Sequence, residues 1–510
     1  MMSAISTSFL EDNNNYTKQH KMASLPPRRS LLQFLKDARN AHLQFIASRA
    51  ESPIYVVGNP SVDLDSIIAA IVYSYFAHNR NHINPPRPHV PLINLPTVSA
   101  GPELRRLRPE FVKALWLCTG KSGRWDDTPE SAGEMLREHI ATVQDFATHL
   151  GDSLGQKWEQ CAVDAIMVDW NAMPVRSSEG PRGRGSVDGL SSVTFQVLGC
   201  IDHHADEKFL PSAESLPPNQ PLVVKPAGSC TSLVVNTLRE QCLWSAEGNG
   251  NDNKAEEAQV AQLALAAILI DTANLTSKDK VTTSDTDAFA FLSPKLEPLH
   301  HIQSTGSTSN QNQTNTITTQ YYNQIQEAKQ NSLELLTIDE ILVRDYKYWE
   351  EPSQHTTNNT VKLGFCSTVK SLPWIINKAG NPQTLLNSLN SLCTQENLDI
   401  VVVMTAFTST SHEHKGHFCR ELFICTANGS HNITNDALAN ALNAFVAQSG
   451  SKLGLVDWSP LDDVDGSTAQ EDVKSALNQG KPQWRHLWVQ TNMAMSRKQV
   501  APLLREAVAK

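Results

Sequence analysis

No run of apolar residues in this 510-residue chain approaches the length of a bilayer-spanning helix. The N-terminus, MMSAISTSFLEDNNNYTKQHK, lacks the apolar core of a secretory signal, and Glu11 and Asp12 disfavour a transit peptide. There is no CxxC. The nine cysteines are scattered and odd in number, which points to reduced thiols buried as small apolar groups in a cytoplasmic protein. An excess of positive charge is also missing: the net charge is −10. That argues against a nucleic acid or an anionic membrane as partner. It leaves room for a small polyanionic substrate, if metals and a few bases make one cleft locally positive. Internal repeats are absent.

What is present is organised around Ile54–Ser66, IYVVGNPSVDLDS. Four β-formers run into Gly58, a polar turn carries Asp63 and Asp65, and the apolar run Ile67–Phe76 reads as a helix. Taken alone, Asp and Ser at a helix start need no role beyond capping. Two further strand-like runs end in polar residues of the same kind. Ala162–Val168 leads into Asp169, and Val193–Ile201 leads into Asp202-His203-His204. A long helical run, Ala255–Ile270, stops at Asp271. Alternating apolar strands and helices predict an α/β first domain with a mainly parallel sheet flanked by helices, followed by a smaller α/β domain. The expected division is a leader over 1–28, a first domain over 29–300, a linker or insertion over 301–321 and a second domain over 322–510. The linker is assigned because Ser304–Gln320 is almost pure Ser, Thr, Gln and Asn, a composition poor in surface to bury. Arg176–Ser192, rich in Gly, Ser and Arg, reads as an inserted surface loop, and Ala246–Asn253 as a polar insertion.

If the three strand runs are parallel neighbours, their carboxyl ends converge on one sheet edge, where open α/β sheets bind ligands. Carboxylates and histidines gathered there would repel one another without cations. Two divalent ions about 3.5–4 Å apart resolve this and offer a clamp for phosphoryl oxygens. Mixed carboxylate and imidazole ligation suits Mg²⁺ or Mn²⁺, with Co²⁺ as a third candidate. Ser229 and Thr231, in GSCTS before the helical stretch Leu233–Leu243, could offer donors to an anion. The loop His412-x-His414-x-x-His417 has no acid at a strand end and reads as solvated.

In their order and spacing, GNPSVDLDS, MVDWN, GCIDHH and LIDT resemble the four motifs of the DHH phosphoesterase superfamily. The second domain, with Ser496-Arg497-Lys498, resembles the DHHA2 subgroup, which holds fungal cytosolic exopolyphosphatases, family II inorganic pyrophosphatases and the prune proteins. The resemblance implies metal-ligating roles for Asp63, Asp65, His203 and Asp271, with Asp169 bridging two metals. Asp202 becomes either a ligand or an acceptor that orients His203. It implies that His204 faces substrate, with Asp65, Asp169 and His204 at the catalytic centre. Lys280, Arg497 and Lys498 match bases that reach the substrate, and Arg420 and Ser229 are further candidates. Family II pyrophosphatases have histidine where this chain has Asn59. An amide oxygen as ligand there would shift the site toward Mg²⁺. The animal prune proteins have arginine in place of the last histidine of Asp202-His203-His204, which is intact here.

The implied activity is that of a metal-dependent exopolyphosphatase, removing the terminal phosphate of inorganic polyphosphate as orthophosphate. The alternatives are an inorganic pyrophosphatase, a prune-like nucleotide phosphodiesterase or nucleoside tetraphosphate phosphohydrolase, and a scaffold without activity. A monomer without nucleic-acid or membrane partners is expected.

Overall fold

The computed structural model describes residues 29–48, 51–78, 87–123, 125–152, 161–176, 182–245, 254–296, 311–334, 336–353, 360–427, 435–462, 470–478 and 483–509. The expected leader, the polar insertion Ala246–Asn253 and the first ten residues of the expected linker lie outside these. Two sheets organise the chain.

The first lobe has strands β1 (Ile54–Val57), β2 (His89–Ile93), β3 (Ala141–Thr142), β4 (Cys161–Val168), β5 (Val175–Arg176), β6 (Arg184–Ser186), β7 (Val193–Asp202) and β8 (Leu222–Val224). Every residue of β1 is buried, the continuous apolar run of a strand covered on both faces. The order is β3–β2–β1–β4–β7, parallel throughout, with β8 parallel to β7. The chain lays β2 and β3 on one side of β1, then returns to place β4 on the other. This reversal opens a crevice at the carboxyl ends of β1 and β4, the position where such sheets take ligands. The Arg176–Ser192 stretch differs from the surface loop expected. Its described part supplies β6, which pairs β5 and lies beside β7 on the edge that β8 also pairs, and it buries Val187 and Leu190.

Helices α1 (Leu31–Ser48), α2 (Leu64–Ala77), α3 (Pro102–Leu107), α4 (Pro109–Gly123), α5 (Pro129–His139), α6 (Val143–Asp152), α7 (Cys230–Glu240), α8 (Lys254–Asp271) and α9 (Thr283–Leu292) complete this lobe. Helix α2 is buried along its whole length between the sheet and helices α7 and α8. Its lack of a polar face explains why its sequence is apolar all round.

Helix α10 (Gln311–Asn331) corrects the linker expectation. Composition argued against order, yet Thr318, Tyr321 and Ile325 are buried, the helix packs on α4 and α8, and Tyr321 Oη donates to the Gln262 carbonyl at 2.9 Å. Tyr321 and Ile325, one turn apart, give the polar sequence the narrow apolar stripe it needs.

The second lobe follows, with α11 (Ile338–Arg344), β9 (Tyr346–Pro352), β10 (Thr360–Thr368), α12 (Leu372–Ala379), α13 (Pro382–Glu396), β11 (Ile400–Thr405), β12 (Phe407–Thr408), β13 (Phe418–Cys419), β14 (Glu421–Thr426), α14 (Asn435–Leu453), β15 (Leu455–Asp457), α15 (Gln470–Leu477), β16 (Arg485–Gln490) and α16 (Arg497–Ala509). Its mixed sheet runs β15–β16–β14–β11–β10–β9. Val401 and Val403 of β11 join the core against α12, α13 and α15, while Ile400, Val402 and Met404 join the core against α14 and α16. This period of two buries both faces of the sheet. No described helix is long and apolar enough to cross a membrane.

Candidate active site

Gly58 starts the acid-bearing turn because nothing larger fits. A Cβ there would lie 2.1 Å from Ser66 Oγ, which accepts the Asn59 N–H at 2.8 Å. Asp63 caps α2 by accepting the Ser66 N–H at 3.0 Å. Asp65, in the first turn, faces the N-terminus of α7. Its Oδ1 accepts the Ser229 hydroxyl (2.8 Å), the Thr231 N–H (2.9 Å) and the Thr231 hydroxyl (2.6 Å), and its Oδ2 accepts the Cys230 N–H (2.6 Å). Burial opposes its ionisation, but His203 and these donors outweigh it and hold the acid below the ordinary carboxylate range. The Ser229 hydroxyl, expected to face substrate, is turned to Asp65 in this structure. The N-terminus of α7 already has its anion from within the chain, and Asp285 takes the Gly228 and Ser229 N–H groups besides.

Asp169 sits just past β4 in a left-handed conformation, φ 55°, which aspartate tolerates better than most residues. Its Oδ2 accepts from Asn59 Nδ2 at 2.5 Å. Its Oδ1 is buried and accepts no hydrogen bond, yet lies 3.0 Å from His203 Nε2 and 3.6 Å from His204 Nδ1. Burial, then Asp63 and Asp65, push its carboxyl well above the ordinary range, with Lys347 opposing. Asp271, at the end of α8, is raised by burial and by the same two acids, with Lys329 and Lys280 opposing. The chain leaves Asp271 through three successive left-handed residues, Ala273, Asn274 and Leu275. Backbone of this kind persists only where its surroundings hold it, and it gathers at functional sites.

His203 Nδ1 lies 3.0 Å from the Ala227 carbonyl, so Nδ1 carries the proton and Nε2 turns its lone pair toward Asp169. His204 Nδ1 lies 2.8 Å from Asp202 Oδ1, which leaves its Nε2 lone pair outward. Asp202 also accepts from the His203 N–H (2.8 Å) and from Asn171 Nδ2 (2.5 Å). Asp202 therefore orients His204, whereas the Ala227 carbonyl, and not Asp202 as the second alternative had it, accepts from the His203 ring. Both oxygens of Asp202 accept from protein donors, two on Oδ1 and one on Oδ2.

Asn59 is also oriented differently from the ligand expected. Its Oδ1 accepts the Ser61 N–H (2.9 Å), the Ser61 hydroxyl and the Val62 N–H (3.2 Å). Two backbone donors fix which end of the amide is oxygen, so Nδ2 faces the acids. In this geometry Asn59 braces Asp169 and turns its amide oxygen to the Ser61 and Val62 donors.

The second lobe answers with cations. Lys498 Nζ lies 3.1 Å from His203 Nε2, and Lys347 Nζ, on β9, lies 3.3 Å from His204 Nε2. Arg497 donates to the Asp345 carbonyl (2.9 Å) and to Asp345 Oδ1 (2.7 Å), so two of its donor nitrogens are already engaged. Arg420 donates from Nε to the Met493 carbonyl at 2.9 Å and stacks on exposed Phe418. Lys280 is pushed below its usual value by burial, against the attraction of Asp271, with the charges of Lys329, Lys498 and Arg420 adding to the lowering. Sequence reading missed Lys347, Lys329 and Asn171. Asn171 was visible in MVDWN. The two lysines carry no local signal.

Divalent cations suit this arrangement. A buried, unpartnered carboxylate oxygen beside an imidazole lone pair, ringed by further acids, is short of positive charge, and Asp169, His203 and His204 bring ligand atoms within 4.8 Å of one another.

Fold and site together describe a two-lobed α/β protein whose first lobe gathers acids and imidazoles at a sheet switch point and whose second lobe covers them with bases. The DHH family, N-terminal domain, matches residues 53–268, and the DHHA2 domain matches residues 323–507. The chain belongs to the DHH superfamily and to its DHHA2 subgroup. It is 25% identical over 465 residues to a Schizosaccharomyces pombe protein named "Putative exopolyphosphatase", covering 90% of this chain and 92% of that one. Among solved structures it resembles one titled as a Methanococcus jannaschii "putative family II inorganic pyrophosphatase". The TM-score is 0.46 at 17% identity, over 89% of this chain and 99% of the other.

Proposed function

We propose that the protein hydrolyses the terminal phosphoanhydride of linear inorganic polyphosphate and releases orthophosphate. One observation carries this reading. Acids short of positive charge lie at the switch point of the first lobe, and lysines of the second lobe stand on the far side of the same two histidines. Such a layered charge pattern suits a substrate that is itself a row of anions between cations. The name of the Schizosaccharomyces pombe relative agrees with it.

Asp63, Asp65, Asp169, His203 and Asp271 would hold two divalent cations, Mg²⁺ or Mn²⁺, with Co²⁺ a third candidate. Bound there, such ions lower the pKa of the attacking water and take up charge on phosphoryl oxygens. Asn59 keeps Asp169 aimed, and the Ala227 carbonyl keeps the His203 lone pair inward. His204, fixed by Asp202, faces substrate together with Lys347. Lys280, Lys498 and Arg420 neutralise non-bridging oxygens, and Arg497 holds Asp345 beside them. No covalent intermediate is needed, since the side chains hold and orient rather than attack. A monomer working in the cytoplasm completes the reading; none of the nine cysteines is in a disulfide.

Phosphate release from a chain-length series, pyrophosphate included, with Mg²⁺, Mn²⁺ or Co²⁺ tests it. The expected result is turnover on long chains exceeding that on pyrophosphate. A preference for pyrophosphate or for a nucleoside tetraphosphate would replace it with the matching alternative.

A further inference from the structure

Arg108, between α3 and α4, is buried and makes every observed hydrogen bond to a backbone carbonyl. Nε donates to Val62 O at 2.6 Å, Nη2 to Ser61 O and Arg344 O at 2.5 Å each, and Nη1 to Leu107 O at 3.2 Å. Burial lowers its pKa to about 10, with Arg344 adding to the effect. A buried guanidinium without a carboxylate in hydrogen bond is an expensive way to fill space, and groups kept at such expense often fix a register.

What it fixes is unusual backbone. Val62 has φ 50°, a conformation that crowds a β-branched side chain. The strained peptide is gripped from both sides. Asn59 Oδ1 takes the Val62 N–H, and Arg108 takes the Ser61 and Val62 carbonyls. The next residues are Asp63 and Asp65. The same Nη2 that holds Ser61 also holds Arg344, the last residue of α11 in the second lobe. Arg344 in turn forks onto Glu110 of the first lobe, with Nη2 2.8 Å from both carboxylate oxygens. Past Arg344, Asp345 binds Arg497 and Lys347 reaches His204.

We propose that Arg108 is a positioning residue that makes the aim of Asp63 and Asp65 depend on docking of the second lobe. It rests on the reading above only in taking those acids as cation ligands. A lysine could not replace it, because one ammonium cannot reach the four carbonyls that three guanidinium nitrogens hold.

The test is hydrogen–deuterium exchange over residues 58–66 of the full chain, in wild type, Arg108→Met, Arg108→Lys and Arg344→Met. Arg344→Met breaks the Glu110 fork without touching the acid loop, so it carries the test even if Arg108→Met folds poorly. Exchange of the Ser61 and Val62 amides is expected to rise about tenfold in all three variants, while β4 amides exchange as in wild type. Mn²⁺ affinity measured by calorimetry should fall about 10–100-fold in the Arg108 variants. Wild-type exchange of the loop in Arg344→Met, protection restored by Arg108→Lys, or equal acceleration across β4 would each overturn the proposal. A wild-type protein that hydrolyses no phosphoanhydride would end the functional reading and leave the exchange result standing.

Discussion

The two lobes bring opposite charges to one place and build them by opposite local rules. In the first lobe the acids agree with their surroundings. Asp63 is a helix cap, and Asp65 lies in the first turn of α2 and takes donors from the N-terminus of α7. Each would be favoured there with no ligand at all. In the second lobe the bases work against theirs. Arg497 and Lys498 open helix α16, where the dipole disfavours cations, and Lys347 is turned into the interior from an edge strand. Residues that satisfy local rules tell little about function. Residues that break them, in contact with the other lobe, tell much more.

Asp169 and Asp271, the latter at the C-terminal end of α8, are the first-lobe acids that do not fit this pattern, and the largest effect should come from Asp169. Asp169 has a buried oxygen without a hydrogen bond and is crowded by Asp63 and Asp65. Asp169→Asn should lower kcat by about 10³-fold or more while making the cation-free protein more stable, since the repulsion is relieved. Thermal denaturation in chelator beside phosphate-release assays checks both. A loss of activity with a loss of stability would count against a cation cage.

Next in size is the second lobe's contribution. Lys347→Ala should lower kcat/KM by about 10–100-fold, with most of the loss on long chains. Equal rates for wild type and variant would mean that the two lobes do not share a substrate.

This contrast also explains what the sequence could tell. Strands β1, β4 and β7 were legible because each is an apolar run that ends abruptly in acid or histidine. The charge reversal across the site was not, because Lys347 meets a partner 143 residues away and no periodicity marks it. Asn59 was legible as a site residue but not in its role. Only the Ser61 and Val62 amides reveal which end of its side chain faces Asp169. Helix α10 was hidden by composition, since a stripe as narrow as Tyr321 and Ile325 barely changes a count of polar residues.

A smaller prediction sharpens the comparison of acids between lobes. Glu421, on β14, accepts from the Leu372 N–H, the Thr405 hydroxyl and the Trp458 indole, yet burial pushes its pKa from 4.5 up to about 7. Its folded-state value is the higher one, so the folded chain binds the extra proton between these limits. Stability from this group is full below about pH 4.5 and falls as pH rises toward 7, by on the order of 3 kcal/mol in total. Glu421→Gln should flatten that slope. Chemical denaturation at pH 5 and pH 8, in both forms, measures it. An unchanged slope would remove Glu421 as its source.

The smallest effect separates two roles for Ser229. Its hydroxyl is one of four donors on Asp65, and although the residue stands at the N-cap position of α7 its side chain makes no capping bond there. Ser229→Ala should therefore lower stability by about 1–2 kcal/mol, the usual loss of one hydrogen bond to a charged group. Asp65 keeps its three other donors, so kcat should drop less than about tenfold and KM for polyphosphate should hold. A substrate contact would give the opposite split, with KM raised and stability kept. Because the substituted hydroxyl is buried and spends its bond on Asp65 of the first lobe, the stability loss should also be the same with and without bound polyphosphate.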